Sequence, residues 1–260
     1  MSFSGFTEVV PGLCWAYSTS FRFFSVFPIN NNGLIVKARE ISGQDILVAV
    51  NCPQLVNGTA KAVHELEETH CAKLKWILGT DWHHVFAKSW VEEFPQAKVV
   101  FPGTRAQRVH EKDGFDPLLL SRDAQQLELP DVDSTTFQLV PWRGFHGTSV
   151  NHPDENPRGE YCVYLPTAKL LYVFDILIPS MPPLVFAKPR EIPLPRANFG
   201  TWLSGFKVVD KALCAQSAQR LLEMDVETCV FSHGELNWGA IRQGKDQIDK
   251  AFAVLKTLLE

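Results

Sequence analysis

Apolar residues in this chain come in short runs that stop at a polar residue, and the runs alternate with stretches of helical spacing. Gly33-Leu34-Ile35-Val36-Lys37-Ala38 and Asp45-Ile46-Leu47-Val48-Ala49-Val50-Asn51 read as two strands joined by a Ser-Gly turn, a hairpin. Across 58–73 the positions Val63 and Leu66 fall near one helical face, ahead of a strand that ends at Leu78. Residues 87–94 form a second helix closed by Pro95, and 97–101 the next buried strand. This alternation predicts a parallel-leaning sheet covered by helices.

The polar stretch 111–133 then reads as an excursion over the surface. Strands return at 136–140, 160–165 and 170–174, with Pro166-Thr167-Ala168-Lys169 as the turn joining the last two. Segment 178–195 is dense in proline, which interrupts helices and central strands, so it is expected to be an extended lid or rim loop. Helices at 209–224 and 246–259 bracket a last apolar strand, Thr228-Cys229-Val230-Phe231-Ser232. No repeat and no linker divides the chain, so a single domain over 1–260 is expected.

Three of these strands deliver a possible metal ligand at their carboxyl ends. Leu74-Lys75-Trp76-Ile77-Leu78 runs into Gly79-Thr80-Asp81-Trp82-His83-His84, Leu170-Leu171-Tyr172-Val173-Phe174 into Asp175, and the last strand into His233-Gly234. A rigid sheet fixes side chains at strand ends while the loop that follows leaves the site open, which is where α/β proteins build such chemistry. The plainer alternatives are strand-end histidines satisfied by backbone carbonyls and an Asp175 that only caps the next element.

Composition narrows the partner classes. A chain of 260 residues with 45% hydrophobic content can bury a large core, and 25 basic against 29 acidic residues, net −4, is too mild a balance for nucleic acid or an anionic membrane surface. The opening Met1-Ser2-Phe3-Ser4-Gly5-Phe6 has no basic segment followed by an apolar one, and the apolar stretch 21–29 is broken by Ser25 and Pro28. A cytoplasmic location, with neither membrane nor nucleic acid as partner, is therefore expected. The six cysteines are dispersed without Cys-x-x-Cys spacing and are expected to be reduced core residues.

The strand-end residues carry a resemblance. Asp175 after its apolar strand and Ser232-His233-Gly234 resemble the metallo-β-lactamase superfamily, as does the His83-His84-Val85-Phe86 segment followed by Trp90 and Phe94-Pro95. It is a divergent branch, because the usual H-x-H-x-D-H motif is degenerate here. The resemblance implies an α/β (α+β) chain folded as a four-layer αββα sandwich. Setting Thr80 against the family's leading Thr places Asp81 at the first His position, His83 at the second, Val85 at the Asp and Phe86 at the last His. Two ligands of a second metal are thus apolar, and a mononuclear site is expected.

The implied shell is Asp81, His83, Asp175, His233 and one imidazole from Gly144-Phe145-His146-Gly147-Thr148. His146 is favoured there over His152 because its turn resembles the family's Gly-His-Thr. Carboxylates and imidazoles without Cys suit one divalent metal, Zn²⁺ first, with Fe²⁺ or Mn²⁺ as alternatives. Asp175 would be a ligand or the base that orients water, and Asp81 a carboxylate that lowers the charge of the site. His84 points to the opposite side of an extended backbone and is expected to support the ligands, while Trp82 lines the pocket. His64, His70 and His110 are expected to be solvated, and Trp76 and Trp90 to be core. Hydrolysis of a small ester, lactone, thioester or amide is the leading expectation, with Met181, Leu184, Val185 and Phe186 of the proline-rich loop as an apolar wall for the substrate. Two alternatives stay open: a non-haem iron redox enzyme, and a metal-free binding protein.

Overall fold

The computed structural model describes residues 3, 5–23, 27–80, 83, 85–102, 114, 117–120, 127–147, 160–175, 177–179, 195–197, 206–208, 210–234, 236, 240–256 and 259. Seven strands make the first sheet, in the order β1 (Thr7–Val10), β2 (Cys14–Phe23), β3 (Phe27–Arg39), β4 (Asp45–Val50), β5 (Lys73–Leu78), β6 (Lys98–Pro102), β7 (Leu118–Leu120). Helix α1 (Thr59–His70) joins β4 to β5, and α2 (Ala87–Glu93) joins β5 to β6. The second sheet follows β8 (Gln138–Trp142), β9 (Phe145–Gly147), β10 (Glu160–Leu165), β11 (Leu170–Val173), β12 (Leu177–Pro179), β13 (Pro195–Ala197), β14 (Phe206–Val208), α3 (Lys211–Leu222), β15 (Thr228–Phe231), β16 (Ile241–Gln243) and α4 (Lys245–Lys256) in the chain. Five of these strands pair in the order β16-β15-β11-β10-β8, while β12–β13 and β9–β14 form two short ribbons.

Strand alternation builds the layers. In β4, Ile46, Val48 and Val50 face the second sheet, while Leu47 and Ala49 face α1 and α2. In β10 and β11, Tyr161, Val163, Leu165, Leu170 and Tyr172 meet that inner layer, while Cys162, Tyr164, Leu171 and Val173 pack on Cys214, Ala218 and Leu221 of α3 and on Ile248, Phe252 and Leu255 of α4. Every strand buried on both faces reads as a continuous apolar run, because period two then carries no polar mark. The outcome is the expected helix–sheet–sheet–helix sandwich.

Several local expectations need correction. The first sheet is mixed: β1 to β4 pair antiparallel, and only β4 to β7 are parallel. The apolar pattern does not predict strands β1, β2 and β16, and residues 21–23 and 27–29 of the broken apolar stretch belong to β2 and β3, which pair from Cys14↔Val36 to Phe23↔Phe27. The polar excursion contains β7, an edge strand of three leucines. The ends of the proline-rich segment pair as β12 and β13, with Pro179 opposite Pro195, a place for proline because a two-stranded ribbon leaves outer N–H positions unused. Met181, Leu184, Val185 and Phe186 lie outside the described residues, as does His110. His64 and His70 are not simply solvated: His64 sits between Glu67 and Glu93, and the His70 ring packs on Trp15.

Trp76 and Trp90 are core residues, and all six cysteines are free thiols, five of them buried and Cys71 exposed. Burial pushes the thiols of Cys14, Cys52, Cys162, Cys214 and Cys229 upward, which keeps them protonated and unreactive. Among the described residues no helix is long and apolar enough to cross a membrane.

Candidate metal centre

Strand direction collects the polar ends at one edge. Parallel β4 and β5 end there, delivering Asn51 and, beyond Gly79 and Thr80, His83, while antiparallel β3 starts there and places Asn30, Asn31 and Asn32 just beyond the Leu34↔Val50 pair. In the second sheet, β11 and β15 are also parallel and end at the same edge, so Asp175 and His233 arrive side by side. The two sheets are tied at this point: the Asn32 N–H donates to the Ser232 carbonyl at 2.7 Å, and its Nδ2 donates to the carbonyls of Phe231 and Gly234, each at 3.0 Å. His83 is held close to the end of β5, its N–H donating to Thr80 Oγ1 at 3.3 Å, and Tyr161 donates to the Gly79 carbonyl at 2.9 Å.

His83, Asp175 and His233 converge. Asp175 Oδ1 is 2.8 Å from His83 Nε2 and 2.9 Å from His233 Nε2, and the three donor atoms lie within 4.8 Å of one another. Each imidazole has its other nitrogen against an oxygen: His83 Nδ1 is 3.1 Å from Asn51 Oδ1, and His233 Nδ1 is 2.8 Å from the Asn30 carbonyl. With the protons on Nδ1, where those oxygens can accept them, both Nε2 lone pairs are aimed at an anionic oxygen. Three electron-rich atoms at this spacing repel one another unless a positive charge lies among them, either protons on the rings or a cation. The donor set therefore fits a divalent metal.

Without such an ion, charge is balanced by protons. Burial alone would raise the Asp175 carboxyl, but the charges of His83 and His233 and their hydrogen bonds outweigh it and hold the group far below the usual carboxylate range. For His233, burial works to lower the value, and the Asp175 charge and hydrogen bond overcome it, so the ring is raised. Asp175 is also 3.4 Å from the Ser232 hydroxyl, which donates to Oδ1. Among the described residues the element that follows Asp175 is the strand β12, not a helix.

No family model matches the sequence, and no curated protein matches it. Solved structures do: the metallo-beta-lactamase from Pontibacter korlensis superposes with a TM-score of 0.57 at 15% identity, covering 98% of this chain and 99% of that one. That from Erythrobacter litoralis gives 0.59 at 16% identity over 99% of each chain, and that from Hirschia baltica 0.56 at 13% over 98% of each. The chain has the metallo-β-lactamase fold.

On this metallo-β-lactamase fold the sequence-derived candidates divide into three groups. His83, Asp175 and His233 come together at the sheet edge. His146 lies on β9, where its backbone pairs with Lys207 of β14. Strand β8 runs in the same direction as β11, since both are antiparallel to β10, so the chain passes the site edge before it reaches β9. Asp81, Trp82, His84 and His152 lie outside the described residues. Of the two apolar residues at the degenerate motif positions, Val85 is exposed and Phe86 is the N-cap of α2. Asn51 went unread as a site residue, although it is a fourth polar residue ending an apolar strand, and Asn30-Asn31-Asn32 is an unusual polar triplet inside a strand.

Proposed function

We propose that this protein is a metal-dependent hydrolase of a small organic substrate, an ester, lactone, thioester or amide, working with one divalent cation, Zn²⁺ first. The observation that carries the reading is the meeting of two imidazole Nε2 atoms and one carboxylate oxygen beyond the ends of three strands. His83, Asp175 and His233 would hold the ion, with His146 and Asp81 as candidates for the remaining protein ligands. When bound, the cation supplies Lewis acidity, which polarises a carbonyl oxygen and acidifies water. The chain's own part is to keep both Nδ1 protons in place and Asp175 ionised, so that the site presents one negative charge and two neutral donors. Solved structures of like fold are named metallo-beta-lactamases, which favours hydrolysis among the reactions such a site can support.

The same three residues also favour a second reading. Two imidazoles and one carboxylate are the ligand set of many non-haem Fe²⁺ enzymes, and a redox reaction on this fold would use it. Elemental analysis of untagged protein, followed by turnover of an ester and lactone panel before and after chelation, separates the readings. About one zinc per chain with chelator-sensitive hydrolysis is the expected result. Iron with oxygen-dependent turnover would establish the redox reading, and protein that neither holds nor responds to any divalent metal would leave a binding protein.

A further inference from the structure

We propose that Asn51 is the positioning residue of this site: its side-chain amide dictates which nitrogen of His83 faces Asp175 and His233. Asn51 Oδ1 accepts from the Cys52 N–H at 2.8 Å, and Nδ2 donates to the Asn32 carbonyl at 2.7 Å and to Asn31 Oδ1 at 2.7 Å. A backbone N–H can only donate and a backbone carbonyl can only accept. Turning the amide over would set donor against donor at Cys52 and acceptor against acceptor at Asn32, so one orientation alone is allowed. That orientation presents Oδ1 to His83 at 3.1 Å, and an acceptor there requires the proton on Nδ1. The Nε2 lone pair is then the one left for the cation, as in metal sites where a hydrogen bond at one ring nitrogen sets the tautomer of the other.

The residue is held for this task. Asn51 is fully buried with φ 65, a left-handed conformation that Asn tolerates better than other residues with a Cβ. Tyr172, from the other sheet, lies 3.1 Å from Asn51 Nδ2 and donates to the Asn32 carbonyl at 2.5 Å. Asn32 in turn holds the Phe231 and Gly234 carbonyls on either side of His233. One amide network thus orients His83 directly and steadies the turn that carries His233.

The role toward the cation rests on the metal-site reading, whereas the tautomer of the His83 ring does not, and the experiment keeps the two apart. Long-range ¹H–¹⁵N NMR of the His83 ring in the metal-free, full-length protein at alkaline pH is expected to show the proton on Nδ1; a proton on Nε2 would overturn the proposal. Asn51→Gly keeps the left-handed backbone and removes the amide, and is expected to weaken Zn²⁺ binding, read by chelator competition, about 10- to 100-fold. Tyr172→Phe removes another member of the same network and is expected to lower the thermal midpoint while changing Zn²⁺ affinity less than about threefold. Equal losses of affinity in the two variants, or unchanged affinity in Asn51→Gly, would reduce Asn51 to a structural part and sink the idea. If the wild type binds no Zn²⁺, the hydrolase reading falls and the ring measurement alone decides this one, as it does if Asn51→Gly fails to fold.

Discussion

A Cβ on Gly79 would collide with Cε1 of Phe101 and lie 2.5 Å from the carbonyl oxygen of His83. Phe101 is fully buried and the other obstacle is backbone, so neither can move aside cheaply. Gly79→Ala is expected to cost about 1–3 kcal/mol in urea unfolding, as overpacking does, and to weaken metal binding by displacing His83. Wild-type stability in this variant would mean that the turn has room the packing denies. Gly79, His83, Asp175 and His233 were all legible in the sequence for one reason, that each stops an apolar run or follows close behind the end of one. Asn51 interrupts a run in the same way yet was passed over, because an amide has no chemistry of its own to signal. Its importance comes from partners at Asn31, Asn32, Cys52, His83 and Tyr172, and of these only Cys52 is its neighbour in sequence.

At the scale of elements, α1 and α2 are fastened to each other and to the first sheet by polar contacts as well as by burial. Glu67 of α1 is buried, accepts from the Leu74 N–H of β5 at 2.8 Å and lies 2.9 Å from His64 Nδ1, while His64 Nε2 is 3.3 Å from Glu93 of α2. The hydrogen bond with Glu67 leads in raising the His64 value, with Glu93 adding to it against the effect of burial. For Glu67, burial acts to raise the carboxyl, but the Leu74 N–H, His64 and Lys73 together lower it. A raised histidine contributes most below its ordinary value of 6.5 and loses that contribution as pH rises through the folded value. A lowered carboxylate contributes above its ordinary value of 4.5 and loses it as pH falls. The pair is therefore strongest between those limits, and His64→Ala is expected to flatten the stability profile on the alkaline side. The loss near pH 6 should stay below about 1 kcal/mol, since the His64 side chain is 43% exposed and screened by solvent. A stability curve with the same slope from pH 6 to 8 in both proteins would exclude the clasp. Trp90 anchors α2 more heavily: it is fully buried, and its Nε1 donates to the Pro53 carbonyl at 2.8 Å. Trp90→Phe keeps most of the ring and orphans that carbonyl, for an expected loss of about 1–3 kcal/mol by denaturant titration. The helix and its tryptophan were readable from apolar spacing and the following Pro95, whereas β1, β2 and β16 were not. Asn30-Asn31-Asn32 in β3 and the Ser-Thr-Ser run beside it in β2 break the apolar pattern, and the asparagines do so as partners of the polar site.

At the scale of the molecule, the candidate centre lies on the seam between the two sheets. His83 follows β5 of the first sheet, while Asp175 and His233 follow β11 and β15 of the second, and the Asn32–Ser232 backbone bond is the protein's own stitch at that edge. An ion held by all three would be a second stitch, present only when the sandwich is closed, because the unfolded chain separates these residues widely in sequence. Binding to the folded state alone should then stabilise the whole fold, by about 2.7 kcal/mol when free Zn²⁺ exceeds its dissociation constant a hundredfold. For a chain of this size that is a rise of about 5–10 °C in the unfolding midpoint, reversed by chelator. His83→Ala and His233→Ala should each abolish most of the rise, and the double variant should do no more than either alone, since ligands of one ion act as a unit. Separate, additive losses would show that the two histidines do not share an ion, and a midpoint indifferent to Zn²⁺, Fe²⁺ and Mn²⁺ in the wild type would remove the metal from the account altogether.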